Sequence, residues 1–283
     1  MFQLVELYVN IWNMVEYHTG RRRSSRAMAV DTGVGVLDRT IAILDAVEDG
    51  SRTFTDLVRA TGFSRPTTHR LIKAMEAHGL LSLQGGFGYR LGPRLLRLAT
   101  IAMAELPLRD LARPALERLS EVTGESAQLY VRSGDERVCV DTVESTSELR
   151  TIVLVGSSLP LTAGSAGKVF LAWASEPDRE RLLEKRLERF TPKTPTALQI
   201  RGQVDAIRRR GWSMSSGERE RGVGSVSAAV LGPDGELVAV VSISGPESRV
   251  GVLAARRFSR AVVAAAREIE RALGIARPSR RPR

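Results

Sequence analysis

Residues 61–71 read TGFSRPTTHRL, and this stretch decides how the first part of the chain folds. Ser64 suits an N-cap because its hydroxyl accepts a hydrogen bond from a backbone N–H. Pro66 suits the first helical turn, because backbone N–H groups there have no helical partner and the one that proline lacks is not missed. Gly62 suits the end of a preceding helix. The stretch therefore predicts two helices joined by a short turn, with the second helix beginning just after Ser64.

The sequence on either side extends this pattern to three helices and a hairpin. Apolar residues at helical spacing predict a first helix over 36–47, and Thr53 with Asp56 forms a capping box that predicts a second. The third helix is expected to stop at Gly79. Residues 80–92, LLSLQGGFGYRLG, predict two short strands around glycines. Three helices followed by a hairpin predict a winged helix-turn-helix, a DNA-binding motif.

The charge changes sign within this segment. Residues 31–57 carry six acids and two Arg, net −4, whereas residues 58–97 carry seven Arg or Lys and one Glu, net +6. The formal net charge of the chain is +10, but residues 1–30 supply +2 of it and residues 277–283 supply +4. A basic segment around the third helix favours contact with phosphates, and a solvated basic face is the alternative.

The third helix is the candidate recognition helix, which places its first residues in the major groove of DNA. Helix N–H groups and short hydroxyls suit phosphate, and Arg suits either phosphate or a guanine edge. An ordinary capped helix with solvated arginines is the alternative. The predicted DNA-contacting residues are Ser64, Arg65, Thr67, Thr68, Arg70 and Lys73 on the helix, with Arg90 and Arg94 at and after the hairpin.

The remainder of the chain mixes helices and strands without regular alternation, which predicts an α+β domain with a mainly antiparallel sheet. We expect Met28 to be the true start, so that the residues before it are a mis-annotated extension or a disordered arm. The predicted division is an extension over 1–30, a winged helix-turn-helix over 31–92, a linker and dimerisation helix over 93–106, an effector-binding domain over 107–276 and a basic tail over 277–283.

A polar pocket is predicted in the second domain. Residues 163–168, AGSAGK, form a glycine and serine loop before a helix, whose N–H groups suit a small carboxylate or phosphate. Ser225 and Ser227 alternate along one strand, as do Ser242 and Ser244 along another, so each pair shares a face. These hydroxyls suit a polar small molecule, and serines that only bond to one another are the alternative.

Several function classes are disfavoured by composition. The three His (His18, His69 and His78) and the single Cys139 do not form a set of ligands with the spacing of a zinc site. Cys139 is interpreted as a small buried side chain. No His follows residue 78, so the second domain holds no Ser-His-Asp triad. We therefore predict no enzyme activity, no cofactor and no metal. No apolar stretch reaches the length of a membrane span, and a cytoplasmic protein is expected.

The combined pattern resembles the IclR family of bacterial transcriptional regulators over residues 33–275. The resemblance is carried by GVGVLDRTIAILDAVEDG (33–50), SRPTTHRLIKAMEAHGLL (64–81), GSSLPLTAGSAGKVFLAW (156–173) and the GWSMSSGERERGVGS segment (211–225). It implies a winged helix-turn-helix, a dimerising linker helix and a GAF-like effector domain. It also implies homodimers or homotetramers that bind palindromic operators as repressors or activators, with small organic acids or aromatic metabolites as effectors.

The resemblance also implies which residues bind the effector. Some members with small-acid effectors have Asp where Ser215 stands and Cys where Ser225 stands, so the effector's identity is left open. The segments TGESAQLY and RRRGW resemble an actinobacterial branch tied to amino-acid biosynthesis. The implied effector-binding residues are Leu159, Ser165, Ala166, Ser215, Val223, Ser225, Ser242 and Ser244.

The predicted function is operator binding modulated by a small-molecule effector. As a hypothesis, the effector changes the spacing of two recognition helices through the helix at 93–105. Because dimers read half-sites about one helical turn apart, small changes in spacing alter affinity. The alternatives are a small-molecule-binding enzyme or sensor that uses the helix-turn-helix as a scaffold, and a nonspecific DNA-binding protein.

Overall fold

The computed structural model describes residues 32–85, 88–104 and 107–275. The predictions for the N-terminal extension and for the basic tail at 277–283 therefore lie outside the described residues. The chain divides into two compact units between Ala102 and Met103, inside the predicted linker. Within the described ranges, none of the helices combines the length and the apolar composition that a membrane span requires.

The first unit contains the predicted three helices and hairpin. The two strands pair antiparallel, with Ser82 opposite Arg90. A fourth helix follows the hairpin at once. The elements are α1 (Gly35–Glu48), α2 (Phe54–Thr61), α3 (Arg65–Ala77), β1 (Leu81–Gln84), β2 (Gly88–Leu91) and α4 (Pro93–Ala104).

The helix ends of the first unit lie where the local sequence predicts them. Thr53 and Asp56 form the predicted capping box at the start of α2, with the Asp56 N–H 3.1 Å from the Thr53 hydroxyl. Gly62 ends α2 in the left-handed region, with φ of 72°. Ser64 caps α3 by accepting from the Thr67 N–H at 3.4 Å, and Pro66 lies in the first turn. These contacts fix the turn between α2 and α3.

One apolar core holds the three helices and the hairpin together. α3 contributes Ile72 and Met75, which pack with side chains from α1, α2 and β1. Thr68 of α3 is buried as well, and the other residues of the helix are half-buried or exposed. The buried apolar residues of the first unit are Ile43, Ala46, Val47, Leu57, Ile72, Met75 and Leu81.

The second unit is an α+β domain. Its sheet has six strands in the order β5-β4-β3-β8-β7-β6, and every neighbouring pair is antiparallel, which confirms the predicted sheet type. Its elements are α5 (Pro107–Thr123), β3 (Ser126–Ser133), β4 (Glu136–Val143), β5 (Ser158–Pro160), α6 (Ser165–Trp173), α7 (Glu176–Glu184), α8 (Ala197–Arg201), α9 (Val204–Arg210), β6 (Trp212–Ser216), β7 (Val223–Leu231), β8 (Leu237–Pro246) and α10 (Ala255–Ala272).

One strand is shorter than its apolar sequence predicts. The segment LRTIVLVGSSLPL (149–161) predicts a strand followed by a loop, but its first residues are irregular, and only the three residues of β5 pair with β4. Gly156 turns the chain with φ of 90°, and its N–H donates to the Cys139 carbonyl at 2.7 Å. Because the turn comes before the chain is in register with β4, pairing begins only at Ser158.

The two faces of the sheet have different chemistry. Strand residues such as Leu129 and Val241 lie on one face, in a core that also contains apolar side chains of α5 and α10. Their neighbours Tyr130 and Val240 belong to a second core, which includes Val169 of α6. Because side chains alternate along a strand, the hydroxyls of β7 and β8 share this second face. The sheet thereby directs its polar residues toward α6.

Candidate functional site

The start of α3 presents two arginines to solvent. Arg65 and Arg70 are both exposed, and the Arg65 guanidinium lies 5.1 Å from the centre of the Phe54 ring of α2. Lys73, one turn further on, is 62% exposed and donates to Glu76 at 2.9 Å, which raises the pKa of the lysine. The exposed face of α3 therefore carries cations at positions where an acidic polymer can reach them.

The hydroxyl residues at the start of α3 divide into two kinds. Ser64 is exposed and Thr67 is half-buried, and their hydroxyls are 2.9 Å apart. Thr68 is fully buried, and its hydroxyl donates to the Ser64 carbonyl at 3.1 Å. This corrects the prediction that Thr68 contacts DNA: its position on α3 points the side chain into the core.

The two basic residues of the hairpin region also differ. Arg90 on β2 is half-buried, whereas Arg94 is exposed at the start of α4. The backbone N–H of Arg94 donates to the Gly79 carbonyl at 3.1 Å, and its guanidinium reaches the His78 carbonyl at 3.4 Å. These bonds hold Arg94 beside the C-terminal end of α3. That these residues bind DNA stays a prediction.

The second site is a cavity between the serine-bearing face of the sheet and the start of α6. Its empty space is about 450 Å³, counting the open mouth. The enclosed part measures only about 40 Å³, so the occupant must be small. The structure places on its wall all eight residues implied to bind an effector, namely Leu159, Ser165, Ala166, Ser215, Val223, Ser225, Ser242 and Ser244.

Strand register brings the serine hydroxyls on this face of the sheet, at the cavity and beside it, into two rows. Ser225 of β7 lies opposite Ser215 of β6 and Ser244 of β8. Two residues further along β7, and so on the same face, Ser227 lies opposite Ser213 and Ser242. A row across an antiparallel sheet points in one direction, so residues far apart in sequence present a common polar surface.

The start of α6 connects the two rows through hydrogen bonds. The Ser165 hydroxyl lies 2.6 Å from those of both Ser225 and Ser227, and Ser227 donates to Ser242 at 2.8 Å. Ser244 accepts from the Gln128 amide at 2.9 Å. All five side chains thus already have partners inside the protein, and the four other than Ser244 bond to one another, as the alternative of mutually bonded serines requires. Their free lone pairs and protons are what a ligand would use.

Sequence reasoning did not identify the charged and aromatic part of the wall. Tyr130 on β3 and Arg137 on β4 lie on strands whose alternation alone gives no functional signal. Burial raises the pKa of the Tyr130 phenol to about 12, so the phenol stays protonated at neutral pH. The wall residues outside the eight implied positions are Tyr130, Arg137, Thr151, Val153, Gly164, Arg219 and Glu220, of which Gly164 belongs to the predicted 163–168 loop.

Arg137 is the most deeply buried cation of the cavity wall. Its side chain is 3% exposed, Nη1 donates to the Pro160 carbonyl, and Nε finds no partner within the described ranges. The guanidinium carbon lies 5.6 Å from the centre of the Tyr130 ring. Burial lowers the pKa of Arg137 to about 10, which still leaves the guanidinium charged at neutral pH.

A buried ion pair lies behind the start of α6. Lys168 is 3% exposed and pairs with Glu218, which is 12% exposed and comes from the loop between β6 and β7. The Glu218 carboxylate also accepts from the Gly164 N–H at 3.1 Å. Burial lowers the pKa of Lys168, and the carboxylate opposes that shift. The pair attaches the 217–222 loop, which carries Arg219 and Glu220, to α6.

Comparison with known proteins identifies both units. Residues 36–85 match the family model for the IclR helix-turn-helix domain, and residues 100–271 match that for the C-terminal domain of the bacterial transcriptional regulator IclR. The HTH-type transcriptional regulator BhcR of Paracoccus denitrificans is 34% identical over 255 residues, covering 88% of this chain and 91% of that protein. The transcriptional repressor IclR of Escherichia coli is 30% identical, covering 89% and 95%.

Solved structures agree with this assignment. An IclR homolog from Microbacterium hydrocarbonoxydans, crystallised in complex with 4-hydroxybenzoate, superposes with a TM-score of 0.74 at 27% identity. The superposition covers 85% of this chain and all of that one. The helix-turn-helix of the first unit and the α+β domain of the second both correspond to family domains. The chain is therefore a member of the IclR family of transcriptional regulators, with an N-terminal DNA-binding domain and a C-terminal effector-binding domain.

Proposed function

We propose that the protein binds a palindromic operator as a homo-oligomer and that a small organic acid in the cavity changes its operator affinity. One observation carries this proposal: the same chain holds a capped helix with exposed cations in one unit and a small hydroxyl-lined cavity in the other. Repression is the proposed sign of regulation, since the relative from E. coli is named a repressor.

The proposed DNA contacts are those of the predicted set that remain accessible. Arg65 and Arg70 are proposed to contact base edges or phosphates, and Lys73 and Arg94 to contact phosphates. Ser64 and Thr67 allow the helix start to approach the backbone closely. Arg90 is retained as a contact from the hairpin, and Thr68 is excluded because it is buried.

Exposed apolar side chains support the proposed self-association. Leu96 of α4 is 67% exposed and Ile101 is 51% exposed, and α1 exposes Val36 and Leu37. Apolar side chains that remain in water favour burial against a second copy, and a palindromic operator requires two copies related by twofold symmetry. Dimers and dimers of dimers both satisfy this requirement.

The proposed effector is a small organic acid or a metabolite of amino-acid pathways. The size of the cavity and its hydroxyl rows support a small polar ligand. The complex of a structural relative with 4-hydroxybenzoate supports a carboxylate. The link to amino-acid pathways rests on the resemblance of TGESAQLY (123–130) and RRRGW (208–212) to that branch. We propose no catalytic step, in keeping with the regulatory relatives.

The experiment that tests the proposal is a gel shift at fixed physiological salt. The full chain is titrated against DNA from upstream of its own gene and against a scrambled fragment of equal length, with and without 4-hydroxybenzoate and other small organic acids. We expect specific affinity at least 10³-fold above nonspecific affinity, and a shift in specific affinity with at least one acid. A specificity ratio near one would favour the nonspecific DNA-binding alternative.

The Ser242→Leu variant separates the two halves of the proposal. Leucine at this cavity-lining position removes a hydroxyl and fills space next to Ser227, so the response to the acid should disappear. Operator binding without the acid should be retained, because position 242 belongs to the other compact unit. If the response survives in Ser242→Leu, the effector binds outside this cavity.

A further inference from the structure

The cavity wall holds a charge that the protein itself does not neutralise. Arg137 is 3% exposed, yet it forms no ion pair with any carboxylate that the structure describes. Its only hydrogen bond in the described part of the chain is the one from Nη1 to the Pro160 carbonyl, and its Nε has no partner. A buried cation without a counter-charge is costly, so its presence at a cavity requires an explanation.

Two glycines make room for this guanidinium at the start of α6. A Cβ atom on Gly164 would lie 3.1 Å from Nη2 of Arg137, and one on Gly167 would lie 2.8 Å from Nη1. Side chains at these positions would push the guanidinium away. The first N–H groups of a helix also lack intrahelical partners and form its positive end. A cation and a helix start thus converge on one point of the cavity.

The other charges near this point cancel in pairs. Lys168 and Glu218 neutralise each other behind the start of α6. Arg219 and Glu220, also on the cavity wall, approach each other at 3.9 Å, with side chains 23% and 58% exposed. Glu136 and Glu218 act on Arg137 only over distances beyond an ion pair. The unbalanced charge of the cavity is therefore the positive charge of Arg137.

We propose that Arg137 binds the carboxylate of the effector and is the residue that makes the cavity select acids over neutral molecules. Its guanidinium offers paired donors that match a carboxylate, and the N–H groups at the start of α6 supply further donors to the same anion. The Tyr130 ring and the Ser225 hydroxyl flank the anion on the cavity wall. This inference rests on the proposed function, which places the effector in this cavity.

Calorimetric titration of the full chain with matched pairs tests the proposal. The pairs are 4-hydroxybenzoate with 4-hydroxybenzamide, benzoate with benzamide and pyruvate with pyruvamide, and inorganic phosphate serves as a carbon-free anion. We expect the wild type to bind at least one carboxylate at least tenfold more tightly than its amide. The proposal is overturned if amides bind as well as acids, if no acid of the set binds, or if phosphate binds more tightly than every acid.

Variants at position 137 then assign the selectivity to the guanidinium. Arg137→Met should weaken acid binding at least tenfold while leaving the amide unchanged, and Arg137→Lys, which keeps the charge without the paired donors, should lie between. Arg118→Met is the matched control, because it removes a cation of the same unit that is 55% exposed and does not line the cavity. Unchanged acid affinity in both Arg137 variants contradicts the proposal.

Unfolding measurements without ligand distinguish an arginine that binds the effector from one that stabilises the fold. An unpaired buried charge does not stabilise the empty protein, so Arg137→Met should unfold at a denaturant concentration no lower than the wild type. A clear loss of stability in both variants would show that the arginine serves the fold and would overturn the proposal. If the acids bind through Arg137 but do not alter operator affinity, the role of Arg137 in acid binding is retained and the proposed function fails.

Discussion

Arginine occupies opposite environments in the two units. On α3, Arg65 and Arg70 are exposed, and water solvates them whenever DNA is absent. On β4, Arg137 is 3% exposed and, among the described residues, has a single hydrogen-bond acceptor, the Pro160 carbonyl. An exposed cation loses little hydration free energy on folding and binds any phosphate, with an affinity that decreases as the salt concentration rises. A buried cation has a large free-energy cost of desolvation. It selects its partner, because water cannot substitute for the missing anion.

The comparison implies that breaking a buried ion pair should lower stability, whereas removing an exposed cation of α3 should weaken binding. The largest expected effect is on the buried pair of Lys168 and Glu218. Lys168→Met leaves the Glu218 carboxylate buried without its cation, which should lower the free energy of unfolding by about 3–5 kcal/mol. Equilibrium denaturation in urea measures the change.

The matched control for this variant is Lys193→Met. Lys193 is 60% exposed and pairs with Glu247 at 2.6 Å, on the surface of the same unit. Loss of an exposed pair should change stability by no more than about 1 kcal/mol. Equal losses in the two variants would break the distinction between buried and exposed cations.

The next effect concerns DNA affinity. Arg65→Ala should weaken operator binding by about 1–3 kcal/mol if the side chain contacts a base, with little change in stability. Gel shifts at fixed salt measure this, and Arg118→Ala, which removes a cation 55% exposed in the second unit, serves as the control. Unchanged operator affinity in Arg65→Ala would show that Arg65 does not contact a base of the operator.

Burial of a second titratable group in the effector domain gives a pH dependence. The pKa of the Cys139 thiol is raised from 9.0 to about 12, mainly by burial, so the folded state holds its proton at pH values where the unfolded state releases it. Stability should therefore be complete below pH 9 and fall as pH rises from 9 toward 12. At pH 10 the loss relative to pH 7 is about 1.4 kcal/mol from this group.

Cys139→Ala isolates this contribution. The variant starts from a lower stability because a buried side chain is shortened, but its stability should decline less between pH 8 and 10 than that of the wild type. Denaturation at a series of pH values provides the comparison. Parallel curves for the two proteins would show that the thiol does not carry the dependence.

The smallest effect separates neighbouring threonines on α3. Thr68→Val removes the buried hydroxyl that donates to Ser64 and should cost roughly 1 kcal/mol of stability with operator affinity unchanged. Thr67→Ala should instead weaken operator binding, because Thr67 lies on the accessible side of the helix start. Weaker operator binding by correctly folded Thr68→Val would restore Thr68 to the DNA-contacting set.

Local patterns account for the parts of the structure that were predicted correctly. The Thr53 capping box, the Ser64 cap and the glycine end at Gly62 depend on residues within a few positions of one another. The alternation of Ser242 and Ser244 predicts that they share a face, because strand geometry has a period of two. The family resemblance added the positions of the cavity wall, all of which the structure brings together.

The predictions that failed concern burial and length. Thr68 has the same local sequence signals as Thr67, and only the packing of α3 on α1 and α2 decides that it points inward. The start of LRTIVLVGSSLPL (149–161) has residues suited to a strand, but a strand needs a partner in register, and β4 provides one only from Ser158. Neither the register nor the packing direction is encoded in a single short segment.

The sequence by itself determined the helix-turn-helix, the placement of its cations and the existence of a serine-lined face, because caps, periodicity and charge act between neighbours in the chain. The tertiary structure alone decided which charges are buried and what they meet. Lys168 meets Glu218, 50 residues further along the chain, and Arg137 lies against Gly164 and Gly167 without meeting a carboxylate of the described residues. Burial and pairing depend on distant segments, so the charge that distinguishes the cavity is visible only after the sheet and α6 have come together.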